Sequence, residues 1–339
     1  MVGNSNQSSL ETSYDVVGIG NAIVDVISHE SENFLQDHDL VKDSMTLIDT
    51  DMAVALYSEM SPTLQSSGGS AANTMSGIAS LGGKAGYIGK IRNDHLGEFF
   101  SHDINAAGVD FVVKPAKEGL PTARSMIVVT PDGARTMSTY LGISTNLRKD
   151  DLDVELLESA QILYCEGYIW DIETTKDTIR SAIAIAKDAN RTISFTLSDS
   201  FCVSRHKEEW VELITDKVDI LFGNEDEITE LSGCNTLSEA AQWIQGRVQI
   251  ACLTLAERGS IIVTENEIIG IGAKQVAQVI DSTGAGDLYA SGFLFGYARG
   301  LDLKTCGELA SISAAEIISH TGARPLVPLK SLITSEFNK

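Results

Sequence analysis

Asp281-Ser282-Thr283-Gly284-Ala285-Gly286-Asp287 includes the small residues Gly284, Ala285 and Gly286 between two carboxylates where a long apolar run begins. Beyond it Leu288, Gly292, Phe295 and Arg299 recur at helical spacing, and Gly300 supplies a stop signal. The spacing predicts a helix over 287–299 with Asp287 in its first turn. Amides there lack intrahelical acceptors, the helix dipole favours an anion, and Gly284, Ala285 and Gly286 leave room for a phosphate. A carboxylate beside such a site repels phosphate, so its presence asks for a chemical reason. Accepting a proton from a hydroxyl that attacks a terminal phosphate is one: Asp287 aligns the hydroxyl while the amides hold charge on the transferring group. With an ordinary pKa of about 3.9 it takes the proton late, as the new bond to phosphorus forms. A glycine-rich cap on a plain core helix is the structural alternative.

Outward from this stretch, short apolar runs alternate with longer amphipathic ones, the pattern of a parallel sheet flanked by helices. Strands are predicted over 14–19, 161–164, 192–196, 218–222 and 250–255, with a late antiparallel hairpin over 260–263 and 267–271. Helices are predicted over 71–81, 174–188, 237–245, 287–299 and 304–320. Ligands of open α/β sheets gather at the carboxyl ends of strands, and both Asn224 and Asp287 follow strand-like runs. Two segments, 26–50 and 118–145, break the alternation. In the second, 125–130 and 136–141 flank Pro131-Asp132-Gly133 as a hairpin.

Residues 281–294 resemble the C-terminal signature of the ribokinase-like (PfkB) carbohydrate kinases. The likeness continues in Gly18-Ile19-Gly20-Asn21-Ala22-Ile23-Val24-Asp25, in Gly68-Gly69-Ser70-Ala71-Ala72-Asn73 and in Asn224-Glu225-Asp226-Glu227, in the family's order and spacing. Within the family, the opening Gly-x-Gly-Asn with Asp25 and the late Thr321-Gly322 resemble adenosine kinases more than ribokinase or fructokinase. Met75 stands where a small residue is usual and Arg92 where glycine is usual. The resemblance implies a three-layer α/β core with a mainly parallel sheet and a small β-sheet lid. The core would take in 14–25, 51–117 and 146–339, the lid 26–50 and 118–145, and a flexible tail 1–13. Such a lid excludes water that would compete as acceptor; a plain surface hairpin is the simpler reading. Gly68 and Gly69 are hinge candidates.

The implied reaction is ATP-dependent phosphorylation of a nucleoside primary hydroxyl, most closely the 5′ oxygen of adenosine. Asp287 would be the base, and Gly284, Ala285 and Gly286 the anion hole. Another sugar or nucleoside kinase, or a catalytically silent nucleotide-binding module, are the alternatives. Asp25 suits the ribose diol, because one carboxylate accepts from two neutral hydroxyls; Asn21, Gly69 and Asn73 would complete the sugar site. Alternate residues Met137, Thr139 and Leu141 share one strand face for the base, with an aromatic ring from either Tyr168 or Trp170. Arg135 would supply positive charge to the phosphate in transfer. Asn224 and Glu227 match the element that organises water around Mg2+, which keeps several waters and is reached through them; they also read as a capping box. Thr254, Gly259, Thr321 and Gly322 correspond to segments that flank ATP in relatives. K+ activation stays open.

Composition fits this reading. The 339 residues are 43% hydrophobic, enough for one large core and a small accessory domain. Forty-seven acidic against 25 basic side chains give a formal charge of −22, which disfavours nucleic acid and anionic membranes. Five cysteines without metal spacing read as reduced, buried thiols, and the six histidines show no ligand spacing. No apolar run approaches a bilayer span and residues 1–13 lack an apolar signal core, so a cytoplasmic monomer or homodimer is expected.

Overall fold

The computed structural model describes residues 12–42, 44–61 and 63–337. Residues 1–11 of the expected tail lie outside them. The chain opens with β1 (Tyr14–Ile19), β2 (Ile23–His29), α1 (Glu32–Asp37), β3 (Met45–Leu47), α2 (Thr50–Glu59) and β4 (Leu64–Gly68). It continues through α3 (Ser70–Ser80), β5 (Ala85–Ile88), α4 (His95–Ala106), β6 (Val109–Asp110), β7 (Ala123–Val129) and β8 (Arg135–Tyr140). Next come α5 (Val154–Ser159), β9 (Ala160–Glu166), α6 (Glu173–Asp188), β10 (Thr192–Thr196), α7 (Ser200–Lys217), β11 (Ile220–Asn224) and α8 (Glu225–Ser232). The last third holds α9 (Leu237–Ile244), β12 (Ile250–Thr254), β13 (Ser260–Thr264), β14 (Ile268–Ile271), α10 (Ala285–Ala298), α11 (Leu303–Ile317) and α12 (Leu329–Phe337).

The large sheet runs β14-β13-β12-β11-β10-β9-β1-β5-β6, parallel from β12 to β6, with β13 and β14 antiparallel at one edge. Helices lie on both faces, so successive strand residues enter opposite cores. Val17, Ile19 and Leu163 join Trp170, Phe195 and Trp210 on one side; Val16, Ile162 and Tyr164 join Met75, Phe100 and Phe293 on the other. This is the α/β architecture, with a mainly parallel sheet between helices, that the alternating sequence pattern predicts. Helix α10 is deeply set, with residues 288–296 all buried. Small residues permit that: a Cβ on Gly292 would stand 2.5 Å from Leu309 O, and one on Gly77 would stand 2.4 Å from Ser291 Oγ. Asp287 is thereby carried on a helix clamped between α3 and α11.

The second, smaller sheet, β3-β8-β7-β2-β4, is built largely from the segments expected to form a lid, and is called the lid sheet from here on. Its hairpin is the one read at Pro131-Asp132-Gly133: β7 and β8 pair antiparallel, and Gly133 takes φ +87° in the turn. The lid takes in more chain than expected. β2 begins at Ile23, so Asp25 stands on a lid strand, and β4 brings in residues from the stretch placed in the core. The outer face is also covered from that stretch, where Ala53 and Leu56 of α2 pack on Met126 and Tyr140. No helix had been placed over 95–106 or 200–217, where α4 and α7 lie. Among the described residues no helix is long and apolar enough to cross a membrane.

Candidate active site

Between the inner lid face and the carboxyl ends of β9 to β12 lies a cleft of about 800 Å³. It brings together Asn21, Asp25, Gly69, Asn73, Met137, Thr139, Leu141, Tyr168, Asn224, Glu227, Thr254, Gly284, Ala285, Gly286 and Asp287. Glu166, Thr196, Asn224 and Thr254 reach it from the ends of four consecutive parallel strands, as the geometry of open α/β sheets dictates.

Two helix N-termini face one another across the floor. Gly284 caps α10 with φ +80° and Gly69 caps α3 with φ +98°; neither cap has a side chain to hold the first amides. On α10 the Ala285 N–H donates to Ser282 O at 3.1 Å, while the Gly286 and Asp287 amides make no hydrogen bond among the described residues. Nothing lies within 4 Å of where a Cβ on Gly286 would stand. That open, amide-lined space suits an anion. The two helices meet through Asp287, which accepts from Ser70 Oγ at 2.6 Å and from Asn73 Nδ2 at 2.9 Å. Asn73 Oδ1 is buried without a partner, so the side chain that orients Asp287 keeps an acceptor for a substrate hydroxyl. Burial pushes the Asp287 carboxyl up, against the pull of its two donors and of Arg324. A raised carboxyl is a better base than the ordinary aspartate the sequence suggests.

Asp25 lies on β2, its carboxylate against Gly68, where a Cβ would stand 2.4 Å from Oδ2. Desolvation lifts its pKa to about 6, while Arg324 and Arg135 oppose the shift and Asp287 adds to it. Asn224 and Glu227 form the capping box read in the sequence: Glu227 accepts from Asn224 N at 3.0 Å and Nδ2 at 2.8 Å, and the Asn224 side chain accepts from Glu227 N at 2.8 Å. Burial raises Glu227 to about 7. No group of three metal-ligating side chains occurs among the described residues. The donor set therefore fits a hydrated Mg2+ contacted through water by Glu227, and does not fit a stripped ion in a protein cage.

Five expected residues stand elsewhere. Trp170 is 1% exposed, packs edge-on against Phe195 and donates to Glu209 at 3.2 Å, so its ring belongs to the core. Tyr168 is the aromatic that lines the cleft, held by Ser198, whose Oγ accepts from Tyr168 N and whose carbonyl accepts from the hydroxyl, both at 3.2 Å. Arg135 does not line the cleft; it is paired with the buried carboxylate of Asp281, which also accepts from Thr283 N and Gly322 N. Gly322 likewise braces the Asp281 loop, with Ala323 against Gly284, while Thr321 is beside it outside the cleft lining. Gly259, at φ +91°, turns the chain between β12 and β13, where a Cβ would stand 2.1 Å from Ile271 O.

The sequence reading passes over Glu166 and Arg324. Glu166, 1% exposed at the end of β9, accepts from Asn21 Nδ2 at 3.1 Å, Asn21 N at 3.4 Å and Ala71 N at 2.9 Å. It caps α3 from 95 residues away, and desolvation lifts it to about 7. One signal was present, a lone acid closing the apolar run Ile162-Leu163-Tyr164-Cys165. For Arg324 no local pattern existed.

Residues 42–330 match the model of the pfkB family of carbohydrate kinases, and the chain belongs to that family. Fold, family and cleft together define an ATP-dependent kinase of sugars or nucleosides. Among solved structures the chain is similar to a probable sugar kinase from Rhizobium etli CFN 42, with TM-score 0.90, 43% identity, and 96% of this chain and 99% of that chain covered. It is similar too to the adenosine kinase from Sinorhizobium meliloti, with TM-score 0.89, 45% identity, and 95% and 99% covered. An uncharacterized sugar kinase from Archaeoglobus fulgidus is 28% identical over 255 residues, 74% of this chain and 98% of that protein.

Proposed function

We propose that this kinase transfers the γ-phosphoryl group of ATP to the 5′ oxygen of a nucleoside, adenosine foremost, giving AMP and ADP. The carrying observation is the apolar wall beside Asp25. Ile23, Ile127, Met137 and Leu141 face the cleft with Tyr168 and Phe201. A purine gains from apolar and aromatic surface, and a free sugar has nothing to place there. The 45% identity to a protein named adenosine kinase supports the same reading.

In this reading Asp25 accepts from the vicinal ribose hydroxyls, Asn21 and Asn73 complete the sugar site, and Gly69 allows close backbone approach. The 5′ hydroxyl donates to Asp287. As its oxygen bonds to the γ-phosphorus and the bond to the β-phosphate oxygen breaks, the proton passes to Asp287 and ADP leaves. Amides of Gly284 to Gly286 at the head of α10 hold charge on the transferring group; since the Ala285 N–H serves Ser282, Gly286 carries most of that task. Asn224, Glu227 and Thr254 line the ATP side. Glu227 would hold a hydrated Mg2+ through water, and the ion would supply positive charge to the phosphates. Arg135 is spent on Asp281 and joins the lid to the anion-hole loop; release of that pair would free it for the phosphates.

The test is turnover with ATP and Mg2+ against adenosine, 2′-deoxyadenosine, inosine, guanosine, ribose and fructose. Removing the 2′ hydroxyl leaves an Asp25 acceptor unmatched, which costs about 1–3 kcal/mol, roughly 5- to 150-fold in kcat/KM. The expected order is adenosine, then 2′-deoxyadenosine, with the free sugars last. Efficient phosphorylation of a free sugar with adenosine inert overturns the nucleoside assignment.

A further inference from the structure

The cleft is rich in carboxylates, and a buried cation stands behind it on a loop that does not line it. Arg324 follows α11 and reaches the chain at Ser67, just before the hinge candidates Gly68 and Gly69. Its Nε and Nη2 donate to Ser67 O at 2.8 and 2.6 Å, and Nη2 also reaches Ser67 Oγ at 3.0 Å. Its Nη1 donates to Ala72 O at 2.8 Å and to Ser76 Oγ. The fork thus grips the last residues of β4 on one side of Gly68 and Gly69, and α3 on the other. Gly68 lies against the Asp25 carboxylate, and the first turn of α3 carries the Ser70 and Asn73 that hold Asp287. A planar guanidinium can bridge both carbonyls at fixed geometry; an ammonium cannot.

All these acceptors are uncharged, so no contact neutralises the cation. Desolvation holds its pKa down at about 10, still well above working pH, and the charges that sustain it are Asp103 on α4, Asp25 on β2 and Asp287 on α10; Tyr87 on β5 also faces it, its phenol pushed up by burial and so neutral. The other charges in reach of the two cleft aspartates are Arg135 on β8, which acts on Asp25, and Glu166 on β9, whose own carboxyl is raised by Asp287.

We propose that Arg324 is a positioning residue for phosphoryl transfer: its buried guanidinium ties the end of β4 to α3 and sets positive charge behind the two elements that hold Asp25 and Asp287. The proposal deepens the kinase reading and rests on it for the roles of the two aspartates, but the titrations it predicts belong to the ligand-free protein.

The experiment follows the carboxyl 13C signals of Asp25 and Asp287 in the full-length, ligand-free protein, identified with Asp25→Asn and Asp287→Asn, alongside the pH profile of kcat/KM. In Arg324→Met both midpoints, and the acid limb of kcat/KM, should move upward by about one pH unit, the low end of the effect of a neighbouring opposite charge. Arg324→Lys should keep the midpoints near wild type yet raise the acceptor KM, because one carbonyl loses its donor. A folded Arg324→Met with wild-type midpoints overturns the proposal, since a purely structural arginine lowers kcat at every pH without moving a titration. Arg324→Gln serves if the methionine variant does not fold. Asp103→Asn, which strips a competing anion from the guanidinium, should move the midpoints downward; if neither neutral variant folds, unmoved midpoints there are decisive against it. Should wild type phosphorylate no acceptor in the panel, the functional reading falls while the midpoints still decide the role of Arg324.

Discussion

Asp287 combines two properties that suit the base role proposed for it and that local sequence cannot supply together. Two side-chain donors from α3 hold it, and burial lifts its pKa so that it accepts a proton more readily than a surface aspartate. Asp287→Asn keeps shape and leaves the Gly286 amide open, so ATP binding measured by calorimetry should persist. Turnover should fall about 100- to 10,000-fold, the usual loss with a general base. Near-normal kcat in the purified variant would remove Asp287 from the chemistry. The two aromatics make the complementary point. Tyr168 and Trp170 are two positions apart and equally plausible in sequence, yet the short 3₁₀ turn Gly167–Asp171 sends one ring to the cleft and the other into the core. Periodicity cannot resolve a turn of that kind.

At the scale of elements, the site is a meeting of two helix N-termini, and much of it was legible because glycine marks both. Helices read over 71–81 and 287–299 begin at Ser70 and Ala285, one or two residues earlier, since a glycine cap carries no side-chain signal for the first residue. Strand runs at 14–19, 192–196 and 250–255 were legible as short runs rich in apolar and β-branched residues between longer amphipathic ones. Long-range partners were not legible: nothing near Ala71 announces that Glu166 will cap its helix, nor does anything near Ser67 announce Arg324. The same glycines give a paired prediction. Gly286→Ala meets open space, and alanine favours a helix over glycine by about 1 kcal/mol, so thermal stability should hold or rise while kcat falls because the new methyl crowds the phosphate. Gly69→Ala puts a Cβ 2.1 Å from Asn21 O at φ +98°; it should lose stability outright, by about 1–3 kcal/mol. Equal melting temperatures for the two variants would contradict both placements.

Across the whole molecule the formal charge of −22 and the cleft carboxylates act in one direction. Glu166 and Glu227 are raised from 4.5 to about 7, Asp25 from 3.8 to about 6, and Asp287 is raised as well. Between about pH 4.5 and 7 the folded chain therefore holds protons that the unfolded chain has released, and stability must fall as pH rises through that window. Carboxylates shifted the other way, Asp132, Asp171, Glu209 and Asp302, lose their contribution only at lower pH, near and below the ordinary carboxyl values of about 4. Self-repulsion among the excess acids adds to the decline on the alkaline side. The ligand-free protein should thus melt several degrees higher at pH 5.5 than at pH 7.5: a carboxyl moved by about two pH units is worth about 3 kcal/mol, and 1 kcal/mol shifts the midpoint of a chain of this size by about 2 °C. Glu166→Gln should flatten the slope, because the amide carries no charge to desolvate. Scanning calorimetry across the window checks the sign, and a melting temperature that climbs from pH 5.5 to 7.5 would show that the cleft carboxylates are not held in the low-dielectric setting on which the chemistry of Asp287 depends.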